Sequence, residues 1–351
     1  MSSSGITNRA WILANKPQGT PTITGSNATF KLESRPLPEL KPNQVLVKSL
    51  YYSNDPAQRG WISANIPGDR LYVPPVNVGE PMRARGLGEV LESTSEKIKK
   101  GSIVLGALNW NEYAVLDESA ARVVAELPGG LSITHWLGAL GGTGLTAHYG
   151  LVDVGEAKKG EKIVVSGAAG ATGSMVVQIA KHIVGASNVI GIAGTDDKCR
   201  WVESLGADKC LNYKSSTFAA DLKEATKDGV DVYFDNVGGE ILDLMLGRMS
   251  MYGRIVACGA ITGYNSEEPC ILSNYFQVIS MRLQIRGFII IDCAPKRVAE
   301  ITQLFQDAIK DGRLKIGDAN ETVVPTAFED VPKTWLGLFS GKNTGKLVTK
   351  L

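Results

Sequence analysis

Three glycines in the stretch KIVVSGAAGATGSMVVQIAKHIVG, at Gly167, Gly170 and Gly173, follow an apolar run and lead into a helical pattern. Their spacing is GxxGxxG, not the commoner GxGxxG. Small residues at such a turn, here with Ala171 and Thr172 among them, let backbone N–H groups and a helix N-terminus approach a pyrophosphate. The plain alternative is a tight turn that only packs helix against sheet. The next apolar run, NVIGIAG, ends at Gly194 with Thr195 beside it; Asp196 and Asp197 come later, with Lys198 and Arg200 close behind. An acid at that strand end would bind the ribose hydroxyls of NAD, whereas a small residue followed by Lys198 suits the 2′-phosphate of NADP. A solvent-facing helix lysine is the competing reading.

A second group of residues offers hydrogen-bond donors and apolar walls. Tyr264, in CGAITGYNSEEP, stands just beyond an expected sheet edge, where loops line the crevice of α/β proteins. Its phenol can donate to a carbonyl oxygen or to a ribose. Early in the chain, YYSNDPAQRGW holds Asn54, Asp55 and Arg59, and an Asp55–Arg59 ion pair would organise that loop. Tyr51, Tyr52, Trp61 and Tyr72 can form walls of a pocket or ordinary core. The three histidines and five cysteines are scattered, with no CxxC or HExxH spacing, so no metal site is expected.

These groups need two kinds of scaffold. Residues 1 to 145 carry short apolar runs broken by Gly and Pro, such as QVLVKSLYYS and SIVLGALNWNEYAVL, the pattern of a mostly β module. After GALGGTGLTAHYGL the rhythm changes: KIVVSG, NVIGIAG, KCLNY, VDVYFDNV and GRIVACG read as strands, separated by helical stretches such as DDKCRWVESLGA and ILDLMLGRMS. Alternation of this kind predicts a parallel α/β sheet over 146 to 310, with GFIII as a further strand and PKRVAEITQLFQDAIKDG as a helix. Residues 311 to 351 end in GKLVTKL, a strand expected to rejoin the β module.

Composition narrows the partners. Hydrophobic residues are 44%, charged residues 21% and the formal net charge is +1, a globular balance without the basic field that nucleic acid requires. No run reaches the roughly 18 apolar residues of a membrane span, and MSSSGITNRAWILANKP lacks a secretory pattern. A cytoplasmic protein with free thiols is expected.

The ordered set NDPAQRGW, GLTAHYGL, SGAAGATG, AGTDDKC, NYK, DNVGG, CGAITGYN, GFII and NTGK resembles the zinc-independent medium-chain dehydrogenase/reductase family over nearly the whole chain. It looks most like the NADPH-dependent alkenal and enone double-bond reductases. The resemblance implies a Rossmann-type cofactor domain inserted in a GroES-like, mostly β catalytic domain. It implies that Gly170 to Gly173 contact the pyrophosphate and that Lys198 and Tyr213 hold the 2′-phosphate. Thr143, Asn236, Cys258, Gly259, Phe288, Ile290 and Asn343 would lie along the rest of NADPH. Tyr264 becomes the leading catalytic candidate, and Tyr52, Asn54 and Tyr72 join it around a conjugated enone or enal.

The implied reaction is hydride transfer from NADPH to the β carbon, with Tyr264 stabilising the enolate and water or an unassigned acid protonating the α carbon. A quinone oxidoreductase and a nonenzymatic NADPH-binding protein are the alternatives. A homodimer joined through the strand near GFIII is also implied. The segments VPPVNVGE and ITGYNSEEPCILSNY can reshape the pocket and leave substrate size open.

Overall fold

Runs rich in Val and Ile that carry no polar alternation must be covered on both faces, which is the condition of a parallel sheet. The computed structural model describes residues 7–351 and builds such a sheet from the middle of the chain. By its internal contacts the chain divides into two units, one running up to Leu137 and resuming at Glu321–Leu351, the other Gly138–Asn320.

In the middle unit six strands lie in the order Lys209–Asn212, Asn188–Ala193, Lys162–Val165, Val230–Asp235, Met249–Ala257 and Gln284–Gly287. Every neighbouring pair is parallel. Numbered within the unit this order is 3-2-1-4-5-6, the doubly wound Rossmann arrangement, which reverses direction beside the first strand. Lys162–Val165 is that first strand, so the glycine turn that follows it stands at the switch point. Val164, Ile190, Ile192, Tyr233 and Ile255 form the core on which the helices pack.

Two element boundaries differ from the sequence reading. The last strand is Gln284–Gly287 and ends on the first residue of the apolar run GFIII. Phe288 leaves the ladder because its ring packs on Phe234 and Tyr149, with centroids 6.2 and 5.9 Å away. The middle unit also extends beyond 146–310. Helix Gly142–His148 packs against helices Ala171–Gln178 and Pro295–Lys310, and Lys315 N–H donates to Gln178 Oε1 at 2.7 Å, so both flanks belong to the sheet unit.

The other unit is built on a seven-stranded, mainly antiparallel sheet. Its longest strand, Gln44–Ser53, pairs with Gly86–Ser93, Tyr113–Asp117 and Lys346–Lys350. The C-terminal strand thus lies against the N-terminal half of the chain, with Val348 opposite Ser53 and Thr349 opposite Tyr52. Trp110, Trp335 and Phe30 meet at 4.9 to 6.0 Å in tilted and edge-on contacts that centre the core. Among the described residues no helix is long and apolar enough to cross a membrane.

Candidate active site

The glycine turn is tight because two of its glycines have no substitute. Gly167 adopts φ +57°, a left-handed conformation. Gly170 N–H donates back to the Gly167 carbonyl at 2.9 Å. A Cβ on Gly173 would overlap that same carbonyl and lie 2.8 Å from Ala168 Cα, so the third glycine is what lets helix Ala171–Gln178 sit against the loop. Gly170 is the helix N-cap and brings no side-chain cap. The first helical N–H groups are left to other acceptors, as anion cradles require.

At the end of the second strand, the two acids are engaged by neighbours. Asp196 accepts from Asn212 Nδ2 at 2.8 Å, and Asp197 pairs with Arg200. Thr195 caps the helix by accepting Lys198 N–H at 3.3 Å. Lys198 is half-buried, and its proton affinity is lowered first by burial and then by Lys214. Lys214, absent from the sequence-based set, places its ammonium 5.8 Å from the centre of the exposed Tyr213 ring. Gly194 makes room for that ring, since a Cβ there would lie 3.0 Å from it. Two cations and a phenol are therefore gathered at one strand end.

A buried carboxylate organises the opposite side of the switch point. Asp235, 2% exposed, ends the strand VDVYFD. Its Oδ1 accepts from Ser166 Oγ at 3.0 Å, Tyr233 Oη at 2.8 Å, and the N–H groups of Val237 and Gly238 at 3.0 Å each. Its carbonyl accepts from the N–H of Cys258 and of Gly259 at 2.9 and 3.1 Å. Asn236 ties in the glycine loop by donating its amide to the Ser166 carbonyl at 2.7 Å. Burial, with Asp235 nearby, pushes the Cys258 thiol up to about 12. The phenol oxygen of Tyr264 accepts Ala260 N–H at 3.3 Å and sits where a Cβ on Gly259 would approach it to 3.2 Å.

Thr143 Oγ1 is buried without a hydrogen-bond partner among the described residues, which suits a hydroxyl that faces a ligand. Phe288 is different: its ring fills the space over Gly150, where a Cβ would collide with it. The side chain is half-buried and packs on the helix that carries Gly150. Ile290 begins the short 3₁₀ turn Ile290–Asp292.

In the β unit, two expectations change. Asp55 does not pair with Arg59. Its Oδ1 lies 2.5 Å from Lys346 Nζ, while Arg59, 1% exposed, donates to the carbonyls of Pro17, Gln18 and Gly19 at 3.2, 2.8 and 2.7 Å. Burial lowers the Arg59 guanidinium pKa from its ordinary value. Tyr52 is not a pocket wall either: it is 0% exposed in the hydrophobic core, and its hydroxyl donates to the Asn111 carbonyl. Strand alternation turns its neighbour Tyr51 to the other face, where it is half-buried.

Asn54, fully buried, donates its amide to Thr349 Oγ1 at 2.9 Å. Trp61 Nε1 donates to the hydroxyl of the exposed Tyr72 at 3.1 Å, and Arg83 lies 5.4 Å from the Trp61 ring. Asn343 donates to the Gly345 carbonyl at 2.9 Å. Among the described residues no group of three or more His, Cys, Asp or Glu side chains could hold a metal ion.

Asp235, Lys214 and Lys346 are the residues that sequence reasoning passed over. An acid ending an apolar strand before Gly-Gly was a readable sign for Asp235. Lys214 follows directly after Tyr213. Nothing local marked Lys346, whose partner is distant in the chain.

Known proteins agree with this architecture. The family described as N-terminal domain of oxidoreductase matches residues 9–124, and the family described as zinc-binding dehydrogenase matches residues 171–307. The protein named "Putative NADP-dependent oxidoreductase YfmJ" of Bacillus subtilis (strain 168) is 39% identical over 347 residues, covering 97% of this chain and 96% of that one. NADPH-dependent curcumin reductase of Escherichia coli (strain K12) is 33% identical over 98% of this chain and 97% of its own. The crystal structure of CurA from Vibrio vulnificus in complex with NADPH superposes with TM-score 0.86 at 33% identity, covering 97% of this chain and 98% of that one. The chain belongs to the zinc-independent medium-chain dehydrogenase/reductase family, in its alkenal/enone reductase branch.

The glycine turn, the lysine pair beside Tyr213 and the unpartnered Thr143 hydroxyl fit NADPH. Gly173→Ala is expected to weaken NADPH at least about tenfold and to cost roughly 1–3 kcal/mol of stability by overpacking. Titration of protein fluorescence with NADPH, beside a denaturant melt, checks both; wild-type values in both would show that the helix need not approach the loop so closely.

Proposed function

We propose that this protein is an NADPH-dependent reductase of the carbon–carbon double bond of α,β-unsaturated ketones and aldehydes. The reading is supported chiefly by full-length likeness to an NADPH-dependent curcumin reductase, joined to a strand end that gathers Lys198, Lys214 and Tyr213. NADPH, when bound, supplies the hydride that adds to the β carbon. The chain's own residues bind, orient and stabilise. Gly167, Gly170, Ala171, Thr172 and Gly173 cradle the pyrophosphate, Lys198, Lys214 and Tyr213 hold the 2′-phosphate, and Thr143, Asn236, Gly259 and Asn343 take polar groups along the rest of the cofactor.

Negative charge grows on the substrate carbonyl oxygen as the enolate forms, and a positioned donor there lowers the barrier. Tyr264 takes that role. The bond from the Ala260 N–H fixes the phenol oxygen in place at the loop. Tyr51, Trp61 and Tyr72 supply the aromatic surface for the conjugated substrate. Cys258 stands in the loop region of Tyr264 with its thiol held protonated, which suits a site that meets electrophilic enones.

The protein is cytoplasmic in this reading and forms a homodimer through the edge strand Gln284–Gly287. Among the described residues that edge has no strand beyond it, and Phe276, Ile279 and Ile285 are exposed near it in sequence. Uncovered edges with large apolar groups favour pairing. Light scattering should give twice the chain mass, and Ile285→Lys should halve it; a wild-type monomer would sink the dimer.

Incubation of purified protein with NADPH and a medium-chain enone should yield the saturated ketone, identified by mass spectrometry and NMR. An allylic alcohol would make it a carbonyl reductase, and reduction of quinones alone would make it a quinone oxidoreductase. Tyr264→Phe is expected to lower kcat about 10²-fold, the loss typical of one oxyanion donor, while the NADPH Kd stays; full turnover in that variant would remove Tyr264 from the mechanism. Lys198→Ala should weaken NADPH about tenfold or more and leave NADH nearly unchanged, since one charge-assisted contact to phosphate is at stake. Equal losses for both cofactors would show that Lys198 serves the fold.

A further inference from the structure

Two motifs from opposite ends of the chain, NDP and NTGK, meet at one buried ammonium. Lys346 is 2% exposed; its Nζ donates to the Asn54 carbonyl at 2.9 Å and lies 2.5 Å from Asp55 Oδ1. Burying an ammonium is costly enough that an apolar residue of similar volume often serves stability equally well. A charge at this place therefore points to a geometric task.

The task can be read from what the bonds hold. The named antiparallel ladder of strand Lys346–Lys350 ends with Val348 opposite Ser53, and Asn54 N–H still reaches the Leu347 carbonyl at 3.2 Å. One residue farther, side chains take over. Asp55 Oδ2 accepts from Ser53 Oγ at 2.6 Å, and Asp55 N–H donates to Gln58 Oε1 at 2.8 Å. Gln58 in turn donates to the Arg83 carbonyl at 2.8 Å. This corner lies between Tyr51 on the strand and Trp61 at the end of the short helix Gln58–Trp61. On the other side of Lys346 is a turn with φ +63° at both Gly341 and Gly345, where the Gly345 carbonyl accepts from Asn343.

We infer that Lys346 is a positioning residue whose bonds to Asn54 and Asp55 hold the Asn343 turn in register with the corner that carries Tyr51 and Trp61. One ammonium thereby sets how an amide for the cofactor and an aromatic surface for the enone are presented together. This rests on the proposed reductase reading, in which Asn343 serves NADPH and the aromatic residues serve the substrate.

The test uses full-length Lys346→Met, which keeps the stem and removes the charge, and Asp55→Asn, which alters the more exposed partner. The NADPH Kd, by protein fluorescence, is measured for each with Asn343 present and in an Asn343→Ala background; enone KM and kcat are measured at saturating NADPH. Each variant should raise the NADPH Kd about fivefold with Asn343 present and less than about twofold without it, with the double variant Lys346→Met/Asp55→Asn no worse than either alone, the mark of residues acting as a unit. Enone KM should rise about fivefold with a smaller change in kcat. Wild-type Kd and KM in either folded variant, or an equal Kd loss in both Asn343 backgrounds, would overturn the proposal and leave Lys346 as core filling that a lower melting midpoint alone reports. Should the wild type reduce no enone, the reductase reading fails, and the Kd cycle with Asn343 still decides the positioning claim.

Discussion

A single buried carboxylate holds together the end of the sheet on which the proposed chemistry depends. Asp235 collects donors from the first strand's end through Ser166, from its own strand through Tyr233 and from the following turn through Val237 and Gly238. Its carbonyl takes the two amides that open the loop toward Tyr264. Hydrogen bonds to an ionised acceptor are among the stronger ones, and loss of the acceptor would leave several buried donors unsatisfied. Glycine loop, DNVGG turn and CGAITGY loop are thus one rigid assembly, not three independent turns.

Burial, with the same carboxylate second, also sets the proton affinity of its neighbours. Burial and then Asp235 raise the Tyr233 phenol well above its ordinary range, and the same two causes act on Cys258. Thiolate is the nucleophilic form, so a thiol that ionises only at about 12 stays protonated at neutral pH and adds slowly to a conjugated carbonyl. Burial, and Asp235 after it, thus favour the less nucleophilic form of the thiol beside this loop.

Local pattern made the parallel sheet legible, because KIVV, NVIGIA and VDVYFD are each buried on both faces and separated by amphipathic helices. The glycine turn was equally readable, since its demands are steric and local. Period-two alternation carried more than was taken from it: Tyr51 and Tyr52 must face opposite ways, and only one can be core. What pattern could not supply was pairing over distance. Arg59 stands four residues from Asp55 and invited an ion pair, yet the carboxylate meets Lys346, 291 residues away. Helix spacing favours an i,i+4 pair only where a helix spans both residues. Here the helix begins at Gln58, after Asp55, and a strand from the far end of the chain arrives first.

The proposed basis of cofactor choice is how charges are disposed of at the second strand's end. Asp196 and Asp197 would repel a 2′-phosphate, but Asn212 and Arg200 occupy them. The Asp197–Arg200 pair is exposed and contributes little to stability; it draws Arg200 toward an acid. The charge of Lys198 is disfavoured first by partial burial and then by Lys214. Both costs are reduced when a dianion is bound nearby, and neither is reduced by the neutral hydroxyl that NADH presents instead. In the proposed site, an arrangement that is unfavourable in isolation would become a preference for the phosphorylated cofactor, with the discrimination assigned to the two lysines and not to the glycine turn that both dinucleotides would share.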